Sequence, residues 1–203
     1  MRIQRKGLLP RKEFVRDARL IIIATEGSST EKQYFEGRFG SSRLKVEVLA
    51  TAPDGLSAPG HVLARLTNFE DRYELGDGDE RWLMVDVDRM RPEFMSQVCQ
   101  EATQKTFGLA ISNPCFELWL LLHFRDPETQ DTNCNLVEQR LRRVLGHYNK
   151  SRIDHAVFTI EAIRAALVRA KRLNINDEER WPSFPGTHVY RIVERILDHF
   201  RTD

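Results

Sequence analysis

Three carboxylates follow two short apolar runs, and their spacing could hold a divalent cation. Glu26 comes just after the run Leu20–Ala24, and Asp86 and Asp88 end the run that begins at Trp82. Residues two apart on a strand share a face, so Asp86 and Asp88 project together. If both runs are neighbouring parallel strands, the three carboxylates meet at one edge, and a hard cation such as Mg²⁺ relieves their repulsion. The alternative is that Asp86 and Asp88 only cap the following turn or helix.

Three further charged residues are candidates for the same site. Glu31 has capping-box spacing with Ser28, so a capping role competes with metal binding. Glu117 lies in a very apolar segment, where a buried carboxylate needs a metal, a basic side chain or backbone N–H groups as its partner. Lys150 could stabilise the charge of a phosphoryl transition state, although a solvated lysine is the simpler interpretation.

The hydrophobic pattern predicts the elements that must position these residues. Strands are expected at Leu20–Ala24, Leu44–Leu49, Trp82–Val87 and Leu109–Ile111. The helices expected between and after them are Thr30–Phe39, His61–Leu75, Pro92–Lys105 and Pro114–Phe124. This alternation predicts an α/β fold with a parallel sheet flanked by helices, whose function concentrates at the carboxyl ends of the strands.

The rest of the chain is expected to be helical. Helices are predicted over Leu136–Leu145, Ile160–Leu173 and Val189–Phe200, packed on or beside the sheet. We therefore divide the chain into a basic arm, residues 1–18, and a single domain, residues 19–203. Within that domain, the sheet core covers about residues 19–125 and the helical portion about residues 126–203.

Composition restricts the class of protein. A chain of 203 residues with 41% hydrophobic residues fits one folded domain rather than a disordered protein. Its apolar runs are too short to span a bilayer, and its basic N-terminus lacks the apolar region of a secretory signal, so we expect a cytoplasmic protein. Cys99, Cys115 and Cys134 show no CxxC spacing. They predict reduced, partly buried thiols and no zinc site, with Cys115 a small core residue rather than a nucleophile.

The distribution of charge suggests a nucleic-acid contact that the net charge does not. Lys+Arg is 31 and Asp+Glu is 30, but the first 19 residues are strongly basic. A basic arm can track phosphates, although a solvated face explains the same charges. We take Arg11 and Lys12 in the arm, and Arg89 beside the Asp86/Asp88 pair, as candidate nucleic-acid-binding residues.

Together these segments resemble the RloB family. The resemblance is carried by Ala24-Thr25-Glu26-Gly27 with Thr30-Glu31 and Tyr34-Phe35, by Val85-Asp86-Val87-Asp88-Arg89, and by Ser112-Asn113-Pro114-Cys115-Phe116-Glu117-Leu118-Trp119. It implies a Toprim-type catalytic domain, in which a Glu after the first strand and an Asp-x-Asp after a later one hold magnesium. It also implies a place in bacterial phage-defence loci, often beside an ATPase partner.

The leading hypothesis is a metal-dependent nuclease, a hydrolase of phosphodiester bonds that acts in antiviral defence by abortive infection. Glu26, Asp86, Asp88 and Lys150 would be catalytic, and one or two Mg²⁺ or Mn²⁺ ions would bind to Glu26, Glu31, Asp86, Asp88 and Glu117. The implied partners are RNA, such as tRNA, or DNA, together with an ATPase and a second copy of the chain. The alternative is a non-catalytic Toprim-like module that binds nucleotide or nucleic acid and regulates the ATPase.

Overall fold

A mixed five-stranded sheet organises the chain in the computed structural model, which describes residues 18–41, 43–51, 55, 57–88, 90–176 and 179–201. The strands are β1 (Arg19–Thr25), β2 (Leu44–Leu49), β3 (Glu80–Asp86), β4 (Gly108–Asn113) and β5 (Gly186–Thr187). Their spatial order is β2-β1-β3-β4-β5. The first four strands pair in parallel, and the two-residue β5 is antiparallel to β4. The predicted α/β class is therefore confirmed.

Helices cover both faces of this sheet. They are α1 (Thr30–Arg38), α2 (Pro59–Arg72), α3 (Pro92–Gln104), α4 (Glu117–Leu122), α5 (Cys134–Leu145), α6 (Ile160–Leu173) and α7 (Val189–Arg201). The core on one face is formed with α2 and α3, and the core on the other with α1, α4, α6 and α7. The predicted helices are present, but α4 begins at Glu117 instead of Pro114. The hydrophobic pattern did not predict β5 or the short 3₁₀ helix His155–Val157.

The first strand is apolar from Leu20 to Ala24 because it is buried from both sides. Ile21 and Ile23 belong to the core with α1 and α4, and Ile22 belongs to the core with α2 and α3. All three are fully buried, as expected for a central strand of a parallel sheet. β1 lies directly beside β3, with Thr25 opposite Met84. The residues that follow β1 therefore meet the carboxyl end of β3 at one edge of the sheet.

Helix α4 is the most deeply buried helix of the fold. Its six residues are all buried, and Trp119 stacks edge-on against Tyr34 of α1. His123, just after α4, joins the same cluster, with its Nε2 3.0 Å from the Tyr34 hydroxyl. Burial lowers the pKa of His123 to about 4, so this imidazole is neutral at physiological pH. The packing fixes the start of α4, and with it Glu117, relative to α1.

No helix in the part of the chain that the structure describes is both long and apolar enough to cross a membrane.

Replacement of Leu120 by Ala should lower the free energy of unfolding by about 2–5 kcal/mol, because it leaves a cavity in this fully buried helix. Ile175→Ala removes the same number of carbon atoms from a side chain that is 92% exposed, and it should change stability by less than about 0.5 kcal/mol. Urea denaturation of the two variants checks the difference. Equal effects would mean that α4 does not anchor the core.

Candidate functional site

A cavity of about 210 Å³ opens at the carboxyl edge of the parallel strands. Its lining includes the five carboxylates predicted from the sequence to bind metal and the lysine predicted to be catalytic. These residues are Glu26, Glu31, Asp86, Asp88, Glu117 and Lys150. They come from separate parts of the fold, namely the ends of β1 and β3, the start of α1, the start of α4 and the segment after α5. The strand topology therefore brings together the charged residues singled out from sequence.

Glu26 ties the ends of the two central strands together. Its backbone N–H donates to the carbonyl of Met84 at 3.2 Å, and its Oε2 accepts from the N–H of Asp86 at 3.3 Å. The carboxylate of Glu26, just after β1, thus reaches the backbone at the end of β3. Glu26 and Asp86 lie next to each other because β1 and β3 are neighbours.

Glu31 closes a tight turn rather than the capping box predicted with Ser28. The residue at the N-cap of α1 is Ser29, whose side chain accepts no capping hydrogen bond, and Glu31 Oε1 accepts from the N–H of Gly27 at 3.2 Å. A Cβ atom on residue 27 would collide with the carboxylate of Glu31. Glycine at position 27 therefore lets the buried carboxylate approach the backbone.

Burial and mutual repulsion alter the acidity of this cluster. The pKa of Glu31 is raised to about 7, mainly by burial and further by the charges of Glu117 and Glu26. The pKa of Asp86 is raised well above its usual value, again by burial first and then by Glu31, Glu26, Glu117 and Asp88. Proton uptake at these two groups is one way to relieve the repulsion, and a bound cation is the other.

Neither Asp86 nor Asp88 is the N-cap residue of the next helix, α3. The residue at the N-cap of α3 is Arg91. Asp86 is the last residue of β3, and Asp88 is exposed, with its backbone N–H donating to the carbonyl of Pro114 at 3.2 Å. Both residues line the cavity.

Glu117 faces the acidic cavity and also has a cationic partner. Its Oε1 lies 3.0 Å from Lys150 Nζ and accepts from the Tyr148 hydroxyl at 3.1 Å. Lys150 Nζ in turn lies 2.5 Å from Glu138 Oε1. The two interpretations of Glu117 from the sequence, as a member of the acidic site and as half of an ion pair, therefore describe one arrangement.

Lys150 is half-exposed to solvent and also pairs with two carboxylates. Burial lowers its pKa, but the charges and hydrogen bonds of Glu117 and Glu138 outweigh this, so the pKa is raised overall. Its backbone carbonyl accepts from the hydroxyl of Thr30 at 3.0 Å, which attaches the segment to the start of α1. Lys150 thus places a positive charge at one side of the cavity.

If Glu26, Asp86 and Asp88 shared one ion, their carboxylate oxygens would have to lie closer together than they do in this structure. Within the described residues, no three carboxylates place their oxygens within 4.8 Å of one another. The group that meets this limit is Asp86 with Cys115 and Cys134. Like charges separate, and Glu26 Oε2 is directed to the N–H of Asp86. Closing on a common cation would therefore require rotation of these side chains.

The prediction of three reduced thiols is wrong for two of the cysteines. Cys115 and Cys134 form a disulfide with their Cα atoms 5.8 Å apart, whereas Cys99 is a free, buried thiol. The pair was missed because the residues are 19 positions apart and only the packing of α4 against α5 brings them together. Tyr148 and Glu138 were missed for the same reason, since neither lies near Glu117 in the sequence.

The predicted nucleic-acid contacts cannot be placed at this site. Arg11, Lys12 and Arg89 lie outside the described residues.

The fold and the cavity define an α/β protein with a cluster of acids at the carboxyl edge of its parallel strands. The chain belongs to the family described as RloB-like protein, whose model matches residues 21–196. The resemblance inferred from the sequence is thereby confirmed. No curated protein and no solved structure matches the chain.

The raised pKa of Glu31 predicts that folding becomes less favourable as the pH rises. Between the ordinary value of 4.5 and the folded value of about 7, the folded state holds a proton that the unfolded state has released. The free energy of unfolding should therefore fall across this window, by about 3 kcal/mol for Glu31 alone. Urea denaturation at several pH values, without divalent cations, measures the slope.

Glu31→Gln should flatten that slope, because a neutral amide does not titrate. Glu74→Gln makes the same chemical change at an exposed position, so it should leave the slope as in the wild type. If Glu31→Gln and the wild type lose stability equally with rising pH, Glu31 is not the titrating group.

Proposed function

We propose that this protein is a Mg²⁺-dependent nuclease that hydrolyses phosphodiester bonds. The observation that supports it is the concentration of five carboxylates around one small cavity. Among the described residues that line this cavity, the one cationic side chain is that of Lys150. Such an excess of negative charge needs compensation. A divalent cation would supply that compensation and could in turn bind the phosphate of a nucleic acid.

The donor set fits the proposed ion. Mg²⁺ and Mn²⁺ prefer oxygen ligands, and Mg²⁺ usually keeps several waters beside one or two carboxylates. Glu26, Asp86 and Asp88 would hold one ion, while Glu31 and Glu117 are candidates for a second. Bound there, the metal would lower the pKa of a water and neutralise charge on the phosphate.

The side chains of the chain would do the remaining work. Glu26 is held at the sheet edge by the N–H of Asp86 and is the candidate acceptor of a proton from the attacking water. Lys150 would stabilise negative charge on the phosphate, and to do so its ammonium group must leave Glu117 or Glu138. A cation that binds Glu117 would release Lys150 for that role.

RNA such as tRNA is the favoured substrate, and the favoured role is that of an effector that kills or arrests an infected bacterial cell together with an ATPase partner. This rests on the RloB resemblance. The competing proposal, a module that binds metal and nucleic acid without turnover and regulates the ATPase, differs in the outcome of a cleavage assay.

Asp86→Asn should reduce cleavage by orders of magnitude, because it removes a ligand charge from the proposed metal site. Its melting temperature without divalent cations should stay the same or rise, since the repulsion among the carboxylates falls. Asp71→Asn, in the exposed last turn of α2, is the matched control and should behave as wild type. The substrates are tRNA, single-stranded DNA and duplex DNA, each with and without Mg²⁺.

A parallel loss of stability and cleavage in Asp86→Asn would make Asp86 a structural residue. Absence of wild-type cleavage on every substrate, even with the ATPase partner present, would favour the regulatory module.

Glu117 and Glu138 offer a paired test of the second metal position. Both carboxylates contact Lys150 Nζ, but only Glu117 is among the residues that form the cavity. Glu117→Gln should therefore weaken Mn²⁺ binding measured by calorimetry, whereas Glu138→Gln should not. Equal effects of the two substitutions would mean that they act through Lys150, and Glu117 would then be no ligand.

A further inference from the structure

Two sulfur atoms and one carboxylate form the tightest group of potential metal ligands in the described part of the chain. The Sγ atoms of Cys115 and Cys134 and a carboxylate oxygen of Asp86 all lie within 4.8 Å of one another. The two sulfurs are joined as a disulfide. Their reduction would leave two thiols facing Asp86 at the edge of the acidic cavity.

The three residues are positioned by different elements. Cys115 is fully buried in the turn between β4 and α4, Cys134 is the first residue of α5 and reaches the cavity, and Asp86 ends β3. Since α4 packs against α5, the arrangement belongs to the fold rather than to a local sequence motif. This explains why the cysteine spacing did not suggest a zinc site.

We propose that the reduced protein binds a thiophilic divalent cation, of which Zn²⁺ is the type, through Cys115, Cys134 and Asp86. Tetrahedral coordination with Zn–S near 2.3 Å and Zn–O near 2.0–2.2 Å needs ligand atoms about 3.5–3.8 Å apart. The Asp86 oxygen lies within 4.8 Å of both sulfurs, and the sulfurs, now bonded to each other, would separate on reduction. Side-chain rotation can supply both changes. A fourth position would remain open towards the cavity, as in zinc sites with three protein ligands.

The redox chemistry of the site balances with a dithiol as reductant. The dithiol gives two electrons and two protons to the Cys115–Cys134 disulfide, which becomes two thiols, while the reductant closes to its own disulfide. Binding of the cation then deprotonates both thiols and releases two protons to solvent. The oxidised protein has no thiolate to offer, so the site exists only after reduction.

The proposed site uses Asp86, which the nuclease proposal assigns to Mg²⁺. Thiolates select Zn²⁺, whereas Mg²⁺ prefers oxygen ligands. The two cations would therefore compete for one carboxylate, and Zn²⁺ would inhibit the reduced protein more than the oxidised one. That inhibition rests on the proposed function, but the thiolate site does not.

Titration of the full chain with Cd²⁺ tests the site without any assay of activity. Thiol counting first verifies the redox state, with three thiols expected after reduction and one, Cys99, before it. The reduced protein should then show sulfur-to-cadmium charge-transfer absorbance in the near ultraviolet that saturates at one equivalent. The oxidised protein should show none.

Variants separate this site from other thiols. Cys134→Ser should abolish the saturating absorbance, and Cys99→Ser should retain it. Since even substitutions of residues around metal ligands cost roughly 10–100-fold in affinity, Asp86→Asn should raise the Kd for Cd²⁺ at least about tenfold. Circular dichroism verifies that each variant is folded.

Lack of the absorbance in the reduced wild type, or its loss in Cys99→Ser with the fold intact, would overturn the proposal. Unchanged Cd²⁺ affinity in Asp86→Asn would remove Asp86 from the site. None of these results bears on Mg²⁺-dependent cleavage, so failure here is distinguishable from failure of the nuclease proposal.

Discussion

Repulsion among carboxylates confined to one cavity is the constraint on which the rest of this site depends. Glu26, Glu31, Asp86, Asp88 and Glu117 share a space of about 210 Å³. Burial and mutual repulsion raise the pKa of Glu31 and of Asp86. A fold that assembled these groups only for stability would gain more from apolar residues, because unpaired buried charge is unfavourable. Positive charge, whether from Lys150 or from a bound cation, would relieve this repulsion.

The elements that position this cluster, β1 and α4, are themselves buried in the core. β1 is covered on both faces, and its position beside β3 sets Glu26 against the backbone of Asp86. The buried helix α4 presents Glu117 from the other side, and Lys150 links it to Glu138 of α5. Rigid packing behind the cavity means that relief of the repulsion must come from protons, from Lys150 or from a bound ion.

Much of the fold could be predicted because apolar runs and turn residues are local signals. The run Leu20–Ala24 indicated a buried strand, and Asp86 and Asp88 at the end of another run indicated a common edge. The two-residue β5 could not be predicted, since so short a strand is defined only by its pairing with β4. Spacing alone also left two roles open for Glu31, and its carboxylate accepts from the N–H of Gly27 rather than forming a capping box with Ser28.

The partners within the site were the least predictable part. That Glu117 needed a partner followed from its apolar neighbours, but Lys150 and Tyr148 as those partners did not, because they lie more than 30 residues away in the sequence. The same holds for Cys115 and Cys134, whose contact depends on how α4 meets α5. The local sequence thus indicated that Glu117 needs a polar partner, but tertiary packing determines which residues are its partners.

Anomalous diffraction from crystals of the oxidised protein soaked in Mn²⁺ tests the central claim most directly. We predict a manganese peak in the cavity, with the carboxylates of Glu26, Asp86 and Asp88 rotated to within coordination distance of it. A cavity without manganese, or manganese bound only at a surface away from these residues, would contradict a metal centre at the edge of the sheet.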